Sequence, residues 1–348
     1  MNENFDPSGV AVKNGEFFGI PSSSQSEIVV LPIPWDVTTS YRAGTVRGPE
    51  AILESSYQVD LFSPFAESAW KIPLSTDWSL IEFATLNTEM RKKSEAILEV
   101  LSAGTEKLPA NLENSLKEIN SACRQMTEQA YLKAKNYLKD GKRVVTLGGD
   151  HSVPLGSIKA YSEKYPGLSI LHFDAHADLR VAYEGFEQSH ASIMYNVLQE
   201  TKVAKIVQVG IRDVAKAEID LIDSSHRMVT FFNWDLQQSK YQGVHWKNQC
   251  DEIIAELGPT VYVSFDIDGM DPVLCPNTGT PVPGGLSFDE ASYLIRQVVA
   301  SGKKIVGADL VEVSPGEGDF TLPEHQWDGN VGARMLFLLC CMIWKSKN

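Results

Sequence analysis

The chain has 348 residues, of which 43% are hydrophobic, and a formal net charge of −14 at pH 7. The hydrophobic fraction is ample for a buried core, and the length allows one large α/β domain or two ordinary ones. The acidic balance argues against nucleic acid and anionic membranes as partners, since both require clustered Lys and Arg, and it is compatible with a small cationic substrate.

Cysteine usage and the apolar runs favour a reducing cytoplasm. The first residues, MNENFDPSGVAVKNGEFFG, are polar, so we expect no secretory signal. The longest apolar run, ARMLFLLCCMIW, is about half as long as a membrane span and predicts a helix in the core or at a subunit contact. The cysteines are odd in number and lack a CxxC spacing, which argues against a disulfide framework and a thiolate zinc site. They are Cys123, Cys250, Cys275, Cys340 and Cys341.

The N-terminal part of the chain predicts a strand, a loop and a pair of helices. SEIVVLPIP is the first strand, and the following loop enters a helix at Gly48 and Pro49, because proline suits the first helical turn. From about Phe83 to Gly141, helical apolar spacing predicts two helices joined by the linker AGTEKLPANLENS, with a glycine at the end of the second. We interpret this pair as a cover for the sheet or an oligomer arm, with a substrate lid as the alternative.

Beyond Lys142, apolar strands alternate with helical segments. The strands are predicted at RVVTLGG, LSILHFD, AKIVQVGI, MVTFFNW, TVYVSFDID and KIVGADLVEV. Nearly continuous apolar strands separated by helices predict an α/β fold with a parallel sheet covered on both faces. We find no repeat and no break in composition that would mark a second domain.

Side chains that can bind metal ions follow three of these strands. Alternate side chains of an extended segment point the same way, and ligands of open parallel sheets lie beyond the carboxyl ends of the strands. Each motif alone could be a turn or a solvated strand end, but together they predict one site. The residues are His151 in GGDH, Asp174, His176 and Asp178 in DAHAD, and Asp266 and Asp268 in DIDGMDP.

Four carboxylates at one partly buried site require cations. Without them the carboxylates would repel one another, and the loss of hydration would cost several kcal/mol per ion. Two divalent cations would balance the four negative charges, and the imidazoles would act as neutral ligands. Oxygen and imidazole ligands without thiolate favour Mn²⁺, with Ni²⁺, Co²⁺ or Zn²⁺ as alternatives. Because two such ions acidify and orient a shared water, the residues predict metal-assisted hydrolysis.

The sequence also resembles the ureohydrolase family, which contains arginase, agmatinase, guanidinobutyrase and formiminoglutamase. The similarity lies in TTSYRAGTVRGPEAI, GGDHSVPLG, HFDAHADLR, SFDIDGMDPVLCPNTGTPVPGGLSFDEA and GADLVEVSP. It implies a single domain over residues 1–348, a three-layer α/β/α sandwich of the arginase/deacetylase type, with a helix-rich insertion at about 76–140. It further implies two Mn²⁺ per subunit, cleavage of a guanidino group to urea and an amine, and a homo-oligomer, commonly a trimer or hexamer.

The resemblance also implies a role for each site residue. Asp178 would hand the proton of the catalytic water to the departing amine, and His190 would be a proton shuttle, which suits an imidazole titrating near neutrality. Glu312 would pair with the guanidinium through two parallel hydrogen bonds. One metal ion would be held by His151, Asp174, Asp178 and Asp266, and the other by Asp174, His176, Asp266 and Asp268, with Asp174 and Asp266 bridging. His226, His245 and His325 match no family position and are expected to be structural.

The stretch after DAHAD decides between substrates. It reads LRVAYEGFEQSHAS and resembles agmatinases more than arginases, so agmatine is the first candidate substrate, with Glu184 or Glu187 facing its distal ammonium. Guanidinobutyrate, arginine, guanidine and formiminoglutamate are alternatives, because a few polar contacts discriminate among such molecules. Two other classes remain: a deacetylase-like hydrolase with one zinc ion, for which His176 and Asp268 would be superfluous, and a non-catalytic homologue that binds a metabolite.

Overall fold

A single parallel sheet forms the centre of the protein. The computed structural model describes residues 5–347 except Ser24 and Glu106. Over these residues the sheet has eight strands: β1 (Ile28–Ile33), β2 (Leu74–Thr76), β3 (Arg143–Gly148), β4 (Ser169–Phe173), β5 (Lys205–Val209), β6 (Met228–Phe231), β7 (Thr260–Asp266) and β8 (Lys304–Val311). Their order across the sheet is β2-β1-β3-β8-β7-β4-β5-β6, and neighbouring strands are parallel throughout.

Helices cover both faces of the sheet. Alternate residues of a strand point to opposite faces, and in β3 Val145 packs in one apolar cluster while Val144 packs in another. The α-helices of the described residues are α1 (Gly48–Ser56), α2 (Phe83–Ser102), α3 (Ala110–Lys139), α4 (Leu155–Lys164), α5 (Ile193–Glu200), α6 (Lys216–Ser224), α7 (Asn233–Tyr241), α8 (Trp246–Ala255), α9 (Phe288–Ala300) and α10 (Trp327–Lys345). The first cluster includes side chains from α1, α8, α9 and α10, and the second includes side chains from α2 to α5. The predicted α/β/α sandwich is therefore confirmed.

The strand order brings distant parts of the sequence to one edge. β3 and β4 are consecutive in the chain, but β8 and β7 lie between them in the sheet. Because all four strands run parallel, the loops that follow them leave the sheet side by side. These loops contain the motifs GGDH, DAHAD, DIDG and EVSP.

The structure confirms the predicted strands and corrects two details. β2 escaped prediction because it has three residues, of which only Leu74 is buried. α3 begins at Ala110, inside the predicted linker, because Pro109 is extended and the residues after it continue directly into the helix.

The apolar C-terminal run forms most of α10, and most of its side chains are buried within this chain. The helix therefore needs no subunit contact to shield it. Among the described residues, no helix combines the length and the apolar character that a bilayer span requires.

Candidate metal centre

The first group of candidate ligands surrounds the ring of His151. Its Nδ1 atom lies 3.0 Å from Asp174 Oδ2, 3.0 Å from Asp178 Oδ2 and 3.3 Å from Asp266 Oδ2. All four side chains are nearly inaccessible to solvent. Three carboxylate oxygens from two different strand ends therefore converge on one ring nitrogen.

The other nitrogen of His151 fixes its tautomer. Nε2 lies 3.1 Å from the hydroxyl of Ser264, and that hydroxyl donates its proton to Asp309 Oδ1 at 3.1 Å. A hydroxyl has one proton to donate, so it accepts from His151 Nε2–H. In the neutral imidazole Nδ1 then carries a lone pair aimed at the three carboxylates, which is the arrangement of a metal ligand held by an outer hydrogen bond.

The second group shares Asp174 with the first. His176 Nδ1 lies 3.1 Å from Asp268 Oδ2 and 3.4 Å from Asp174 Oδ1. Asp174 therefore turns one oxygen to each histidine, as a carboxylate between two cations would. Asp266 turns Oδ2 to the first group, but its Oδ1 accepts the backbone N–H of Asp268 at 2.8 Å.

The charges of this cluster fit divalent cations. Burial, together with repulsion from Asp174, raises the pKa of Asp178 to about 7. Burial and the charges of Asp268 and Asp174 raise the pKa of Asp266 well above its usual range. Burial opposes protonation of His151, but hydrogen bonds to the carboxylates raise its pKa well above the ordinary value. The protein without metal must therefore bind protons where cations would otherwise neutralise the carboxylates.

Glu312 supplies a buried carboxylate oxygen that has no hydrogen-bond partner among the described residues. Its Oε1 accepts the backbone N–H of His151 at 2.9 Å, while no described residue bonds to the buried Oε2. Glu312 has a φ of 60°, a left-handed conformation that costs on the order of 1–3 kcal/mol for such a residue. Burial, together with the charge of Asp150, raises its pKa well above the usual range. A bound cation would satisfy the free oxygen and favour the ionised form.

A cavity of about 150 Å³ joins these groups. Both candidate clusters, Glu312 and the predicted shuttle His190 contribute to its wall, together with Ser40, Tyr183 and Thr280. Asp213 and Arg180 are exposed lining residues, whereas Glu218 is buried and its carboxylate accepts the backbone N–H groups of Leu179 and Ala215. The space admits a small molecule with a polar head near the clusters.

His190 is held on the wall of the cavity in an uncharged state. Its backbone N–H donates to Thr38 Oγ1 at 3.0 Å, and its ring lies 3.5 Å from Ser40 Oγ and 3.3 Å from Ser189 Oγ. Burial, assisted by the charges of His176 and His151, lowers its pKa to about 3. At neutral pH one ring nitrogen is therefore a hydrogen-bond acceptor and the other a donor.

Sequence reasoning missed His172, which is also close enough to the first group to be a candidate ligand. Its Nε2 lies 2.8 Å from Asp174 Oδ2, while its Nδ1 lies 3.0 Å from the amide nitrogen of Gln208. That amide nitrogen also donates to the carbonyl of Ala177 at 2.8 Å, so it is a donor and His172 Nδ1 is the acceptor. His172 thus donates from Nε2 to Asp174 and has no free nitrogen for a metal ion.

A row of polar side chains across the sheet supports His172. Gln208 is its cross-strand neighbour on β5, and Thr230 on β6 donates to Gln208 Oε1 at 2.8 Å. In the sequence the signal is one polar residue in the interior of each of three largely apolar strands, SILHF, KIVQV and MVTF. We infer that this row orients Asp174 from behind the cluster.

Several other residues lie outside the cavity wall. Neither Glu184 nor Glu187 is among the described residues that form it, and the expectation that one of them faces a substrate ammonium stays a prediction. Glu187 is exposed and pairs with Arg124 at 2.5 Å. The three histidines without an assigned role are exposed and lie away from the described cavity wall. They are His226, His245 and His325.

Comparisons with known proteins agree with the fold. The model of the arginase family matches residues 26–320 of the chain. A Thermus thermophilus protein named N(1)-aminopropylagmatine ureohydrolase is 33% identical over 291 residues, which covers 84% of each chain. A Bacillus anthracis protein named agmatinase is 31% identical over 297 residues, covering 85% of this chain and 86% of that protein. The solved structure of the agmatine ureohydrolase of Thermoplasma volcanium is similar in fold, with a TM-score of 0.69 and 22% identity over 98% of this chain and 96% of that chain.

Proposed function

Because the chain belongs to the arginase family, whose members use a binuclear metal centre, we propose that it hydrolyses agmatine to putrescine and urea. The observation that carries this proposal is the free oxygen of Glu312 beside two groups of candidate metal ligands. A guanidinium is planar and cationic and can donate two parallel hydrogen bonds to a carboxylate. A substrate bound in this way places its central carbon next to the candidate metal ligands.

The outer part of the cavity supports a substrate with a cationic tail. Asp213 supplies an exposed carboxylate there. Glu218 adds a second negative charge, although its oxygens accept backbone N–H groups, and the one cation, Arg180, has its Nε 3.8 Å from Glu218 Oε2. A second ammonium group is therefore accepted more easily than a carboxylate, which favours agmatine over guanidinobutyrate or arginine. N(1)-aminopropylagmatine is the second candidate, because the relative from Thermus thermophilus carries its name.

The candidate metal ligands are those that the sequence predicts. We propose that His151, Asp174, Asp178 and Asp266 hold one ion and that Asp174, His176, Asp266 and Asp268 hold the other. We propose Mn²⁺ for both positions, because oxygen and imidazole ligands without thiolate suit it. Ni²⁺, Co²⁺ and Zn²⁺ are the alternatives, because the same ligands can also bind them. When bound, two such ions supply an acidified and oriented water.

The remaining work falls to three side chains. Glu312 orients the guanidinium. Asp178, with its raised pKa, accepts a proton from the attacking water and passes it to the amine nitrogen as the bond between that nitrogen and the guanidinium carbon breaks. His190 is proposed as the proton shuttle from the resemblance to the family alone, because its lowered pKa departs from the near-neutral titration that the sequence suggests. The products are urea and an alkylammonium, so atoms and charge balance.

We further propose a single domain over residues 1–348, with residues 76–140 as a helix-rich insertion, because one sheet contains all of the described strands. A cytoplasmic location is supported by five cysteines that are free and buried. Assembly into a homo-oligomer, a trimer or hexamer, is proposed from the resemblance to the family. A deacetylase-like site with one zinc ion is disfavoured, because a second group of candidate ligands lies beside the first.

The test is urea release from a panel of guanidino compounds. Protein loaded with Mn²⁺ or with Ni²⁺ is incubated with agmatine, N(1)-aminopropylagmatine, arginine, guanidinobutyrate, formiminoglutamate and guanidine. We expect the largest kcat/KM for agmatine with Mn²⁺. Release from no compound with either metal would contradict the proposal and favour a non-catalytic protein, whereas a preference for an anionic substrate would contradict the argument from the outer cavity.

A further inference from the structure

The helix pair α2–α3 contacts two loops that form one wall of the cavity. The first is the Thr38 loop, residues 36–44, and the second is the Tyr183 loop, residues 182–190. Ser40 belongs to the first loop, and Tyr183 and His190 belong to the second. Both loops therefore contribute side chains to the place where substrate would bind.

α2 holds the Thr38 loop with buried polar contacts. Asn87 accepts the backbone N–H of Asp36 at 2.7 Å and donates to its side chain at 2.9 Å. Arg91 donates from Nη1 to the carbonyl oxygens of Asp36, Val37 and Thr39 at 3.3, 3.4 and 2.5 Å. Only 13% of the Arg91 side chain is exposed, so water does not replace these bonds easily.

α3 holds the Tyr183 loop in the same manner. Asn120 is buried, donates to the carbonyl of Gly185 at 3.1 Å and accepts the backbone N–H of Glu187 at 2.9 Å. Thr127 donates to the side chain of Gln188 at 2.9 Å. One asparagine thus pairs with both a backbone acceptor and a backbone donor of the loop, as a neighbouring strand would.

The two loops meet at His190. Thr38 Oγ1 donates to the carboxylate of Asp150 at 2.9 Å and accepts the backbone N–H of His190 at 3.0 Å. Asp150 directly precedes His151, the first candidate ligand. A continuous set of contacts therefore leads from α2 through Thr38 to both His190 and the strand end at the metal centre.

We propose that α2–α3 is a positioning brace, in which Arg91 and Asn120 hold the two loops so that His190, Ser40 and Tyr183 face the substrate at a fixed distance from the metal centre. The proposal rests on the proposed function for its catalytic consequence. It differs from a lid, because a lid would have to break these buried bonds in each turnover. Arg91 and Asn120 act through the loops, and neither belongs to the described cavity wall.

The matched variants test each side of the brace. Arg91→Met removes the donor to the Thr38 loop, and Asn120→Ala removes both bonds to the Tyr183 loop. Lys93→Met is the control, because Lys93 lies on the same helix and pairs only with Glu89 and Glu118 among the described residues. Arg91→Lys keeps a cation that can donate to the same carbonyl oxygens, so it should restore most of the function lost in Arg91→Met.

Three measurements are made on the full chain. Hydrogen exchange read by mass spectrometry should show about tenfold faster exchange in residues 36–44 for Arg91→Met and in residues 182–190 for Asn120→Ala. Agmatine turnover should fall about 10- to 100-fold in kcat/KM for both, mainly in kcat, because misplaced groups near the reacting atoms cost this much. Bound Mn²⁺ per chain should match that of Lys93→Met, which should behave as the unchanged protein.

The outcomes distinguish a failure of the brace proposal from a failure of the proposed function. Unchanged exchange in both loops would overturn the brace, and so would faster exchange with unchanged kcat/KM. Equal losses in Arg91→Lys and Arg91→Met would also overturn it, because they would indicate a role in filling space. If the unchanged protein hydrolyses no guanidino compound, the proposed function fails, and the exchange data alone still decide whether the helices hold the loops.

Discussion

The metal centre and the loops of the cavity wall are built in different ways. The candidate ligands stand at the ends of three parallel strands, β3, β7 and β4, and Glu312 follows β8, which lies between β3 and β7. The hydrogen bonds of the sheet fix the positions of these strands, whereas the Thr38 and Tyr183 loops are held by side chains of a helix pair. The candidate ligands therefore rest on the hydrogen-bonded sheet, and the two loops rest on a few replaceable contacts.

The largest effect is expected at the second group of ligands. Asp268→Asn should lower turnover about a thousandfold, because losing one cation removes several kcal/mol of charge stabilisation. Bound metal should fall from two ions to one per chain, and circular dichroism should show an intact fold. Full activity with one bound ion would contradict our account, because the protein would then be a hydrolase that needs a single ion.

Glu312 is predicted to increase activity and to decrease the stability of the folded state. Glu312→Gln should reduce kcat/KM for agmatine about 100-fold, because one of the charges of a buried ion pair is lost. Its pKa is raised mainly by burial, so the ionised group destabilises the folded state at neutral pH, and the variant should have a higher Tm. A lower Tm together with unchanged kcat/KM would show that Glu312 is structural.

A substitution at His172, in the polar row that it forms with Gln208 and Thr230, should lower metal affinity more than it lowers turnover measured at saturating metal. His172→Phe removes the donor to Asp174, and loss of such an outer partner typically costs about 10- to 100-fold in affinity. Titration calorimetry with Mn²⁺ measures it directly. Thr230→Val, at the far end of the row, is the control and should change affinity much less. Equal affinities for His172→Phe and the unchanged protein would refute the orienting role.

The pH dependence of stability should differ between metal-free and metal-loaded protein. Burial and charge repulsion raise the pKa of Asp178 to about 7, and the pKa of Asp266 is also raised, so the folded state binds more protons than the unfolded state above the ordinary carboxylate range. The lowered pKa of His190 makes an opposite contribution that ends near its ordinary value of 6.5. The free energy of unfolding of the metal-free protein should therefore fall from about pH 6.5 to about pH 8. Thermal melts with a chelator measure this, and Mn²⁺ should abolish the fall. A rise over this range without metal would contradict the crowding of carboxylates.

The comparison also explains what the sequence alone could predict. Long apolar strands and the polar residues at their ends are local patterns, so seven strands, the parallel sheet and the proximity of the six candidate ligands followed from them. The three-residue strand β2 has no such pattern. The contacts of Asn87, Arg91 and Asn120 join residues 51 to 67 positions apart, and no local pattern records them.

His172 is intermediate between the features that local sequence patterns predict and the contacts that only the folded structure reveals. It is one polar residue in an apolar strand, a visible signal, but its role depends on Gln208 in a neighbouring strand, which only the register of the sheet reveals. The left-handed backbone of Asp178 and Glu312 is likewise a property of the folded site, because neither residue type requires that conformation.

Metal content measured together with turnover tests the central claim most directly. Protein freed of metal with a chelator is titrated with Mn²⁺, and bound metal per chain and urea release from agmatine are followed in the same samples. Our account predicts that activity rises to its maximum as the content approaches two ions per chain, and that Asp174→Asn binds markedly less metal. Full activity in protein that contains no metal would contradict the account.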